Sequence, residues 1–308
     1  MVVVGGKLKS AWMWLELIAK LSVGMYSAML VYLMLRFSRE DLLESLHAFG
    51  VGYPLPEKDY GDVCQIYTPQ HPSGNQFFNV TDRIDVFVLA HALGWFVKAL
   101  IVRDIWISWI CSILFELVEL AFAHLLPNFN ECWWDSILLD VLGCNLLGIY
   151  AAEIFMKTMK VRKYNFTVKS RIIFSTRNVY NYLFSSLLLI LLITLIDLNI
   201  FFIKYILFIP TTHWLCLVRT FMWVLISAPA SRELFINAGK KNRKRFFSSC
   251  TTCMVGIVGL VCEILACVVF RGSLFTHSNP TPLATVLLIV SMVYATIWAL
   301  IKVHSTEM

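Results

Sequence analysis

The sequence predicts an all-α protein built as a polytopic transmembrane helical bundle. Of its 308 residues, 58% are hydrophobic and only 15% are charged, a larger apolar share than a soluble core of this size needs. Its mean hydropathy is +0.71. Apolar windows of about twenty residues, long enough to cross a bilayer as a helix, recur along the whole chain. We therefore expect one integral membrane domain over residues 1–308, with no soluble domain and no nucleic-acid partner.

These windows predict about eight membrane-spanning helices. The first, Ala11–Phe37, is too long for a secretory signal peptide and lacks a small-residue cleavage site. The other predicted spans are Ile84–Val102, Ile105–Leu126, Ser136–Phe155, Tyr182–Leu198, Trp214–Ala228, Cys250–Phe270 and Leu283–Val303. An additional apolar piece, Ile200–Ile209, follows the polar stretch DLN, and a re-entrant or broken helix there would bring the count to nine or ten.

Two clusters of basic residues indicate the orientation of these helices. The loop 157–181 holds seven Lys and Arg residues and no acid, and the loop 239–245 holds five more. Because positively charged loops stay in the cytosol, both loops and both chain termini are predicted to be cytosolic. The segment 38–83 and the turn that follows Leu126 then face the lumen.

The predicted lumenal location of these segments bears on the interpretation of three sequence features. The pattern NVT at Asn79–Thr81 becomes a candidate glycosylation site. Cys64 and Cys132 both lie in lumenal segments and could form a disulfide, a point that the sequence leaves open. The motif CTTC at 250–253 has no second cysteine pair, which argues against a zinc site.

Polar residues are concentrated within spans that are otherwise apolar. Glu116, Glu119 and Asp140 fall inside predicted helices, where a carboxylate costs about 3 kcal/mol near the middle of the bilayer. Glu116 and Glu119 are three positions apart and share a helix face, while Asp140 lies near the start of the next helix. His91 and Asn145 reach a similar depth from the lumenal side, so three neighbouring helices are expected to bring these groups together.

Two more acids, Glu131 and Asp135, lie at the adjoining lumenal turn, so the acids here exceed the local positive charge. A site rich in oxygen and poor in thiols suits a hard cation such as Ca²⁺ or Mg²⁺. Residue types leave open two alternatives, a proton or ion pathway and a structural polar network. His91 lies level with the acids and is a candidate general base or phosphate-facing group.

Four motifs in this region are too specific for a generic membrane helix. They are HALGWFVKALIVRD (His91–Asp104), FELVEL (Phe115–Leu120), HLLPNFNECWWD (His124–Asp135) and LDVLGCNLLGIY (Leu139–Tyr150). Together they resemble the eukaryotic phosphatidylserine synthases of the base-exchange type. The later stretches LIDLNIFFIKYILFIP and ISAPASRELF look like later helices of that family, so the resemblance is strong over about residues 84–240.

This resemblance implies a Ca²⁺-dependent enzyme of the endoplasmic reticulum membrane, with its catalytic helices at about residues 84–155. It would exchange the choline or ethanolamine head group of phosphatidylcholine or phosphatidylethanolamine for L-serine, giving phosphatidylserine. The choice of head group stays open, and a homodimer is consistent with the family. CDP-alcohol phosphotransferases carry DGxxAR followed by GxxxDxxxD; neither pattern occurs here, which disfavours a CDP-diacylglycerol route.

Family-essential polar positions carry over residue by residue. The resemblance implies catalytic roles for His91, Asn128, Asp135 and Asn145, and it is consistent with cation binding by Glu116, Glu119, Glu131 and Asp140. Arg103 is the implied phosphate or lipid contact. Trp133 and Trp134 would hold ammonium head groups by cation–π attraction, or act as interfacial anchors. His91 would serve as the base of a direct displacement or as the nucleophile of a covalent phosphatidyl intermediate.

Two other classes of protein compete with this interpretation. An ion-coupled transporter or channel would use the membrane acids to line a cation path, and a lipid-binding scaffold would carry out no chemistry. Family members also begin with about two further spans ahead of the helix that matches Ala11–Phe37, and many have a longer polar tail. An even number of helices preserves orientation, so we expect the catalytic part to be intact without them.

Overall fold

The computed structural model describes residues 2–54, 60–84, 86–164, 176–237 and 248–272. Nine α-helices occur in these ranges: α1 Val2–Arg36, α2 Arg39–His47, α3 Phe78–Thr81, α4 Val86–Val102, α5 Ile105–Phe122, α6 Leu146–Thr158, α7 Thr176–Ile206, α8 Trp214–Asn237 and α9 Thr251–Phe270. A 3₁₀ turn, Pro127–Phe129, and a π-helix, Asp135–Asn145, lie between α5 and α6. The described residues contain no strand, so the all-α prediction is confirmed.

Within the described residues, six segments are long and apolar enough to cross a membrane. They are Ser10–Arg36, Ile105–Phe122, Asp135–Thr158, Phe184–Ile206, Trp214–Asn237 and Thr251–Phe270. A seventh predicted span corresponds to α4, whose 17 residues give a length of about 26 Å, slightly short of the hydrocarbon core. The predicted span Leu283–Val303 lies outside the described residues. The chain is thus a multi-pass membrane protein.

The predicted break before Ile200 was wrong, because α7 continues through Asp197 and Asn199 to Ile206. This stretch contains no glycine or proline that would interrupt a helix. The side chain of Asn199 in this stretch is also hydrogen-bonded inside the protein, because its Nδ2 donates to Glu263 Oε2 at 3.2 Å. Asn199, a polar residue within an apolar stretch, therefore makes a buried contact and does not end the helix.

The described residues form two compact units, and the first holds residues 2–54, 176–237 and 248–272. Its centre contains the fully buried carboxylate of Glu263, which is 0% exposed. Arg219 donates to both of its oxygens, at 2.9 and 2.6 Å, and Tyr26 and Trp223 donate to Oε1 at 2.7 and 3.0 Å. A buried charge is tolerated only when it is paired and hydrogen-bonded in this way, so these contacts join α1, α8 and α9.

The second unit holds residues 60–84 and 86–164, and contains α3 to α6 with the π-helix. Its helices approach closely at Gly148 of α6, where an added Cβ would overlap the carbonyl oxygen of Ala92 on α4. Asp104 begins α5, because its carboxylate accepts hydrogen bonds from the backbone N–H groups of Trp106 and Ile107. These contacts fix α4, α5 and α6 around the polar residues described below.

A disulfide between Cys64 and Cys132 attaches the long segment before α4 to the turn after α5. Around it, Tyr60 pairs with Glu131 in an isolated parallel bridge, and Trp134 Nε1 donates to the carbonyl oxygen of Cys64 at 3.2 Å. The pairing that the sequence left open is therefore present in the fold. It brings a segment distant in sequence against the polar turn.

We expect Cys132→Ser to lower the thermal stability of the protein. The bridge closes a separation of 68 residues, and the chain-entropy model assigns such a loop about 4 kcal/mol of stability. The measurement is the unfolding temperature of the detergent-purified protein by intrinsic fluorescence. Cys144→Ser, at a buried free thiol in the same unit, is the control. An unchanged unfolding temperature for Cys132→Ser alone would contradict the prediction.

Candidate functional site

Three glutamates converge in the second unit at the end of α5. Glu116 and Glu119 lie on one face of this helix, and Glu131 comes from the turn that follows the 3₁₀ segment. One carboxylate oxygen from each lies within 4.8 Å of those of the other two. Glu119 is buried, whereas Glu116 and Glu131 are partly buried. The chain therefore places three carboxylates where their negative charges repel one another.

This triad of glutamates fits a bound calcium ion. Ca²⁺ takes six to eight oxygens at about 2.3–2.6 Å, so oxygens on opposite sides of one ion are about 5 Å apart, comparable with the observed spacing. Glu116 Oε2 and Asn145 Oδ1 are buried acceptors with no hydrogen-bond donor. Buried acceptors without donors are uncommon and are the atoms a cation would satisfy. The donor set is thus suited to Ca²⁺.

The ionisation of Glu131 shows how crowded the acids are. Burial, together with the negative charges of Asp140, Glu116 and Asp135, raises the pKa of Glu131 to about 8. A carboxylate in this position keeps its proton near neutral pH unless positive charge arrives. The cluster therefore favours a cation at this point.

Next to the glutamates, His91 and Asp140 form a close pair. His91 Nδ1 lies 3.2 Å from Asp140 Oδ1, which brings together residues 49 positions apart on α4 and the π-helix. A carboxylate in this position fixes the orientation of an imidazole and favours a proton on Nδ1. Asp140 was predicted as a cation ligand; in the structure its Oδ1 contacts His91, and its role as a ligand stays a prediction.

The π-helix explains how three polar residues of one segment come to lie inside. Asp135, Asp140 and Asn145 are spaced five positions apart, and all three are buried. In an α-helix, five positions rotate a side chain by about 140°, so the three would point in different directions. In a π-helix the hydrogen bonds run from i to i+5, so residues five apart are nearly aligned. Such segments are frequent at functional sites.

Asn145 connects the end of the π-helix to α5. Its Nδ2 donates to Ser112 Oγ at 2.9 Å and to Glu116 Oε1 at 3.3 Å. This leaves its Oδ1 as an acceptor beside the glutamates. Sequence reasoning overlooked Ser112, although it lies one helical turn before Glu116 and so shares its face. It also overlooked Ser136, whose Oγ donates to Glu131 Oε2 at 3.3 Å.

The remaining candidates lie in the turn after α5, at the start of the π-helix and in α3. Asn128 lies in the 3₁₀ turn, and Asp135 begins the π-helix in a buried position. Trp133 is 61% exposed, whereas Trp134 is 4% exposed and uses its Nε1 to hold Cys64. Asn79 Nδ2, the atom a glycan would occupy, donates to the carbonyl oxygen of Gln65 at 2.7 Å.

Arg103 lies away from this group. It follows the last residue of α4, roughly 17 Å along the helix axis from His91. Its backbone has a positive φ of 55°. Its side chain donates to the carbonyl oxygen of Arg162 at 3.3 Å and stacks over Tyr164. The structure therefore places Arg103 with the end of α6 and not with the acids.

We expect Gly148→Ala to reduce activity through the position of His91. The added methyl would overlap the carbonyl oxygen of Ala92, so α4 would have to move away from α6. A displacement of about 1 Å can cost about 100-fold in rate, which would be measured as a fall in kcat. Gly94→Ala is the matched control, because a Cβ there meets nothing within 4 Å. Equal activity of the two variants would contradict the prediction.

Comparisons with known proteins give this arrangement a family context. A family model described as phosphatidyl serine synthase matches residues 11–182 and 173–271. The chain is 36% identical over 273 residues to CDP-diacylglycerol–serine O-phosphatidyltransferase 1 of Arabidopsis thaliana, covering 80% of this chain and 63% of that protein. It is 38% identical over 212 residues to phosphatidylserine synthase 2 of Homo sapiens, covering 60% and 42%. The zebrafish, Danio rerio, phosphatidylserine synthase 2 is 38% identical over 211 residues, with 60% and 46% covered. The chain thus spans less than two thirds of the length of each of these relatives.

Proposed function

The chain belongs to the phosphatidyl serine synthase family, and on this basis we propose that it transfers a phosphatidyl group to L-serine. The donor we propose is phosphatidylethanolamine or phosphatidylcholine, whose head group leaves as L-serine enters. The observation that carries the proposal is the close arrangement of a carboxylate triad and a His–Asp pair in one unit. Such an arrangement provides charge stabilisation and proton transfer, the two requirements of phosphodiester exchange.

The names of the plant relatives point to a different donor. The Arabidopsis and rice proteins are named CDP-diacylglycerol–serine O-phosphatidyltransferases, whereas the vertebrate ones are named phosphatidylserine synthase 2. We favour the base-exchange route, because the DGxxAR and GxxxDxxxD patterns are missing from this sequence. The experiment that tests the proposal therefore compares these donors directly.

His91 supplies the proton transfer in the proposed mechanism. With Nδ1–H held by Asp140 at 3.2 Å, Nε2 carries the lone pair that accepts the proton of the serine hydroxyl. The serine oxygen then forms a bond to phosphorus as the bond to the leaving alcohol breaks, and the proton on His91 passes to that alcohol. In the two-step variant, His91 Nε2 attacks phosphorus as the bond to the leaving alcohol breaks, and the serine oxygen then displaces the imidazole from phosphorus. The proton that the serine hydroxyl releases replaces the one that the leaving alcohol takes up. Retention of configuration at phosphorus would identify the two-step route, and inversion the direct one.

Glu116, Glu119 and Glu131 would hold Ca²⁺, with Asn145 Oδ1 adjacent. When bound, Ca²⁺ would act as a Lewis acid that neutralises charge on the phosphoryl oxygens. Asn145, whose Nδ2 also donates to Ser112, donates a hydrogen bond to Glu116 and helps to keep its carboxylate in position. Trp133, exposed beside the turn, offers a ring face for the ammonium group of a substrate.

We further propose that this site faces the lumen of the endoplasmic reticulum, with both termini of this chain in the cytosol. Two observations support that placement. The basic residues are concentrated in the loops 157–181 and 239–245, which the positive-inside rule assigns to the cytosol. The disulfide between Cys64 and Cys132, near the glutamates, suits an oxidising compartment.

The decisive experiment supplies labelled L-serine to purified protein in vesicles of defined composition. The arms contain phosphatidylethanolamine, phosphatidylcholine or CDP-diacylglycerol as donor, each with Ca²⁺ or with a chelator. The proposal expects labelled phosphatidylserine from at least one of the first two donors, and only with Ca²⁺. Product from CDP-diacylglycerol with release of CMP would replace the base-exchange route. Ion flux without any labelled lipid would favour a transporter or channel instead.

A further inference from the structure

The three glutamates of the triad differ in how the chain holds them. Glu116 and Glu119 lie on α5, whose helical hydrogen bonds fix their backbone positions. Glu131 comes instead from an irregular stretch between the 3₁₀ turn and the π-helix. Because the three carboxylates repel one another, a glutamate on such a stretch would move away unless other contacts restrained its backbone. The position of Glu131 therefore depends on what packs against this stretch.

Residues 60–64, which we call the strap, lie against this stretch. Tyr60 pairs with Glu131 in an isolated parallel bridge, so the two backbone segments are hydrogen-bonded to each other. At the other end of the strap, a disulfide joins Cys64 to Cys132, the residue that follows Glu131. The strap therefore holds the backbone of Glu131 through backbone hydrogen bonding and through a covalent bond one residue later.

Side-chain contacts on both sides of Glu131 complete this attachment. Trp134 is 4% exposed, and its Nε1 donates to the carbonyl oxygen of Cys64 at 3.2 Å. Gly61 approaches the preceding residue, Asn130, so closely that an added Cβ would lie 2.7 Å from its side chain. The strap thus contacts the polar stretch before, at and after Glu131.

Resting on the proposed function, we propose that the strap is a positioning element of the cation site, which sets the Ca²⁺ affinity by holding Glu131 beside Glu116 and Glu119. Without the strap, Ca²⁺ binding would have to draw Glu131 back against the repulsion of the other two carboxylates, so the affinity would fall. Groups that hold metal ligands in place typically change metal affinity by about 10- to 100-fold. Because none of the three glutamates belongs to the strap, it acts on the cation through Glu131.

Cys64→Ser tests this role, because it releases the strap and keeps all three glutamates. Two readouts are followed along one Ca²⁺ series: the unfolding temperature of the detergent-purified protein, and the exchange of labelled L-serine. We expect the Ca²⁺ concentration at which the unfolding temperature starts to rise, and the one that gives half-maximal exchange, to increase by about 10- to 100-fold. Most of the exchange rate should return at saturating Ca²⁺. Cys267→Ser, at a free cysteine of the first unit, is the matched control.

A purely structural role for the disulfide gives a different result. Cys64→Ser would then lower the unfolding temperature without Ca²⁺ and reduce the amount of active protein, while the Ca²⁺ requirement of the remaining active protein would be that of the wild type. That outcome overturns the proposal. If neither the unfolding temperature nor the exchange of the wild type depends on Ca²⁺, the proposed cation site itself fails and this inference falls with it.

Trp134→Phe serves if Cys64→Ser does not fold. It loses the Nε1 donor to the strap and keeps an aromatic ring in the buried position. We expect its Ca²⁺ requirement in both readouts to rise by about two- to tenfold, the effect of one lost hydrogen bond. The matched control is Trp106→Phe, at an exposed tryptophan of α5. Equal Ca²⁺ requirements of the two variants would overturn the proposal.

Discussion

Replacing Glu119 with glutamine is expected to abolish most of the activity at physiological Ca²⁺ while leaving the fold intact. Glu119 is the most deeply buried member of the triad and lies on α5 with Glu116. The change removes one of three charges and keeps the size of the side chain. Losing even an outer-shell partner costs a metal site about 10- to 100-fold in affinity, so losing a ligand should cost at least about 100-fold. The measurement is the Ca²⁺ concentration that gives half-maximal exchange.

Two controls make the Glu119 result specific. Glu44→Gln changes an exposed acid of the first unit, and it should leave the Ca²⁺ dependence unchanged. The unfolding temperature of Glu119→Gln without Ca²⁺ should be equal to or above that of the wild type, because repulsion between the carboxylates is relieved. Wild-type Ca²⁺ dependence in a folded Glu119→Gln variant would remove Glu119 from the cation site.

Replacing His91 with glutamine is expected to lower kcat by about 10²- to 10⁴-fold, the range typical of a lost general acid–base group. Glutamine retains a polar side chain near Asp140 and cannot exchange a proton at neutral pH. Because His91 is outside the glutamate triad, the Ca²⁺ concentration for half-maximal activity should change little. Initial rates at saturating lipid and serine across a Ca²⁺ series measure both quantities.

The variant Asp140→Asn distinguishes two roles for Asp140 in the same experiment, orientation of His91 and binding of the cation. If it orients His91, Asp140→Asn lowers kcat with little effect on Ca²⁺ dependence; if it binds the cation, the Ca²⁺ dependence shifts instead. His71→Gln, at a histidine of the same unit that stacks on Phe78, is the control for His91. A loss of less than about tenfold in His91→Gln would exclude His91 as the base.

Several features of the site could be read from the sequence because each depends on local spacing or composition. Glu116 and Glu119 share a face at any helical position, since residues three apart are neighbours on a helix. The predicted span Ile105–Leu126 ends just before Pro127, and in the structure α5 ends at Phe122 and a 3₁₀ turn begins at Pro127. The resemblance to a known family then indicated which of the polar residues are candidates for catalysis and cation binding.

Other features depend on contacts that the sequence does not contain. The sequence shows that Asp135, Asp140 and Asn145 are spaced five positions apart. In an α-helix, however, side chains at this spacing would point in different directions. The polar residues before Ile200 suggested a broken helix, because the sequence does not show that Asn199 has a buried partner, Glu263, which lies 64 positions away.

By itself, the sequence determined that this protein is helical and crosses a membrane, and it determined which acids lie within the apolar helices. These properties follow from composition and periodicity, which local residues set. Only the tertiary structure decided that Glu131 joins Glu116 and Glu119 and that Asp140 pairs with His91. The physical reason is that these relations need turns, a π-helical register and a disulfide to bring distant segments together, and packing selects them.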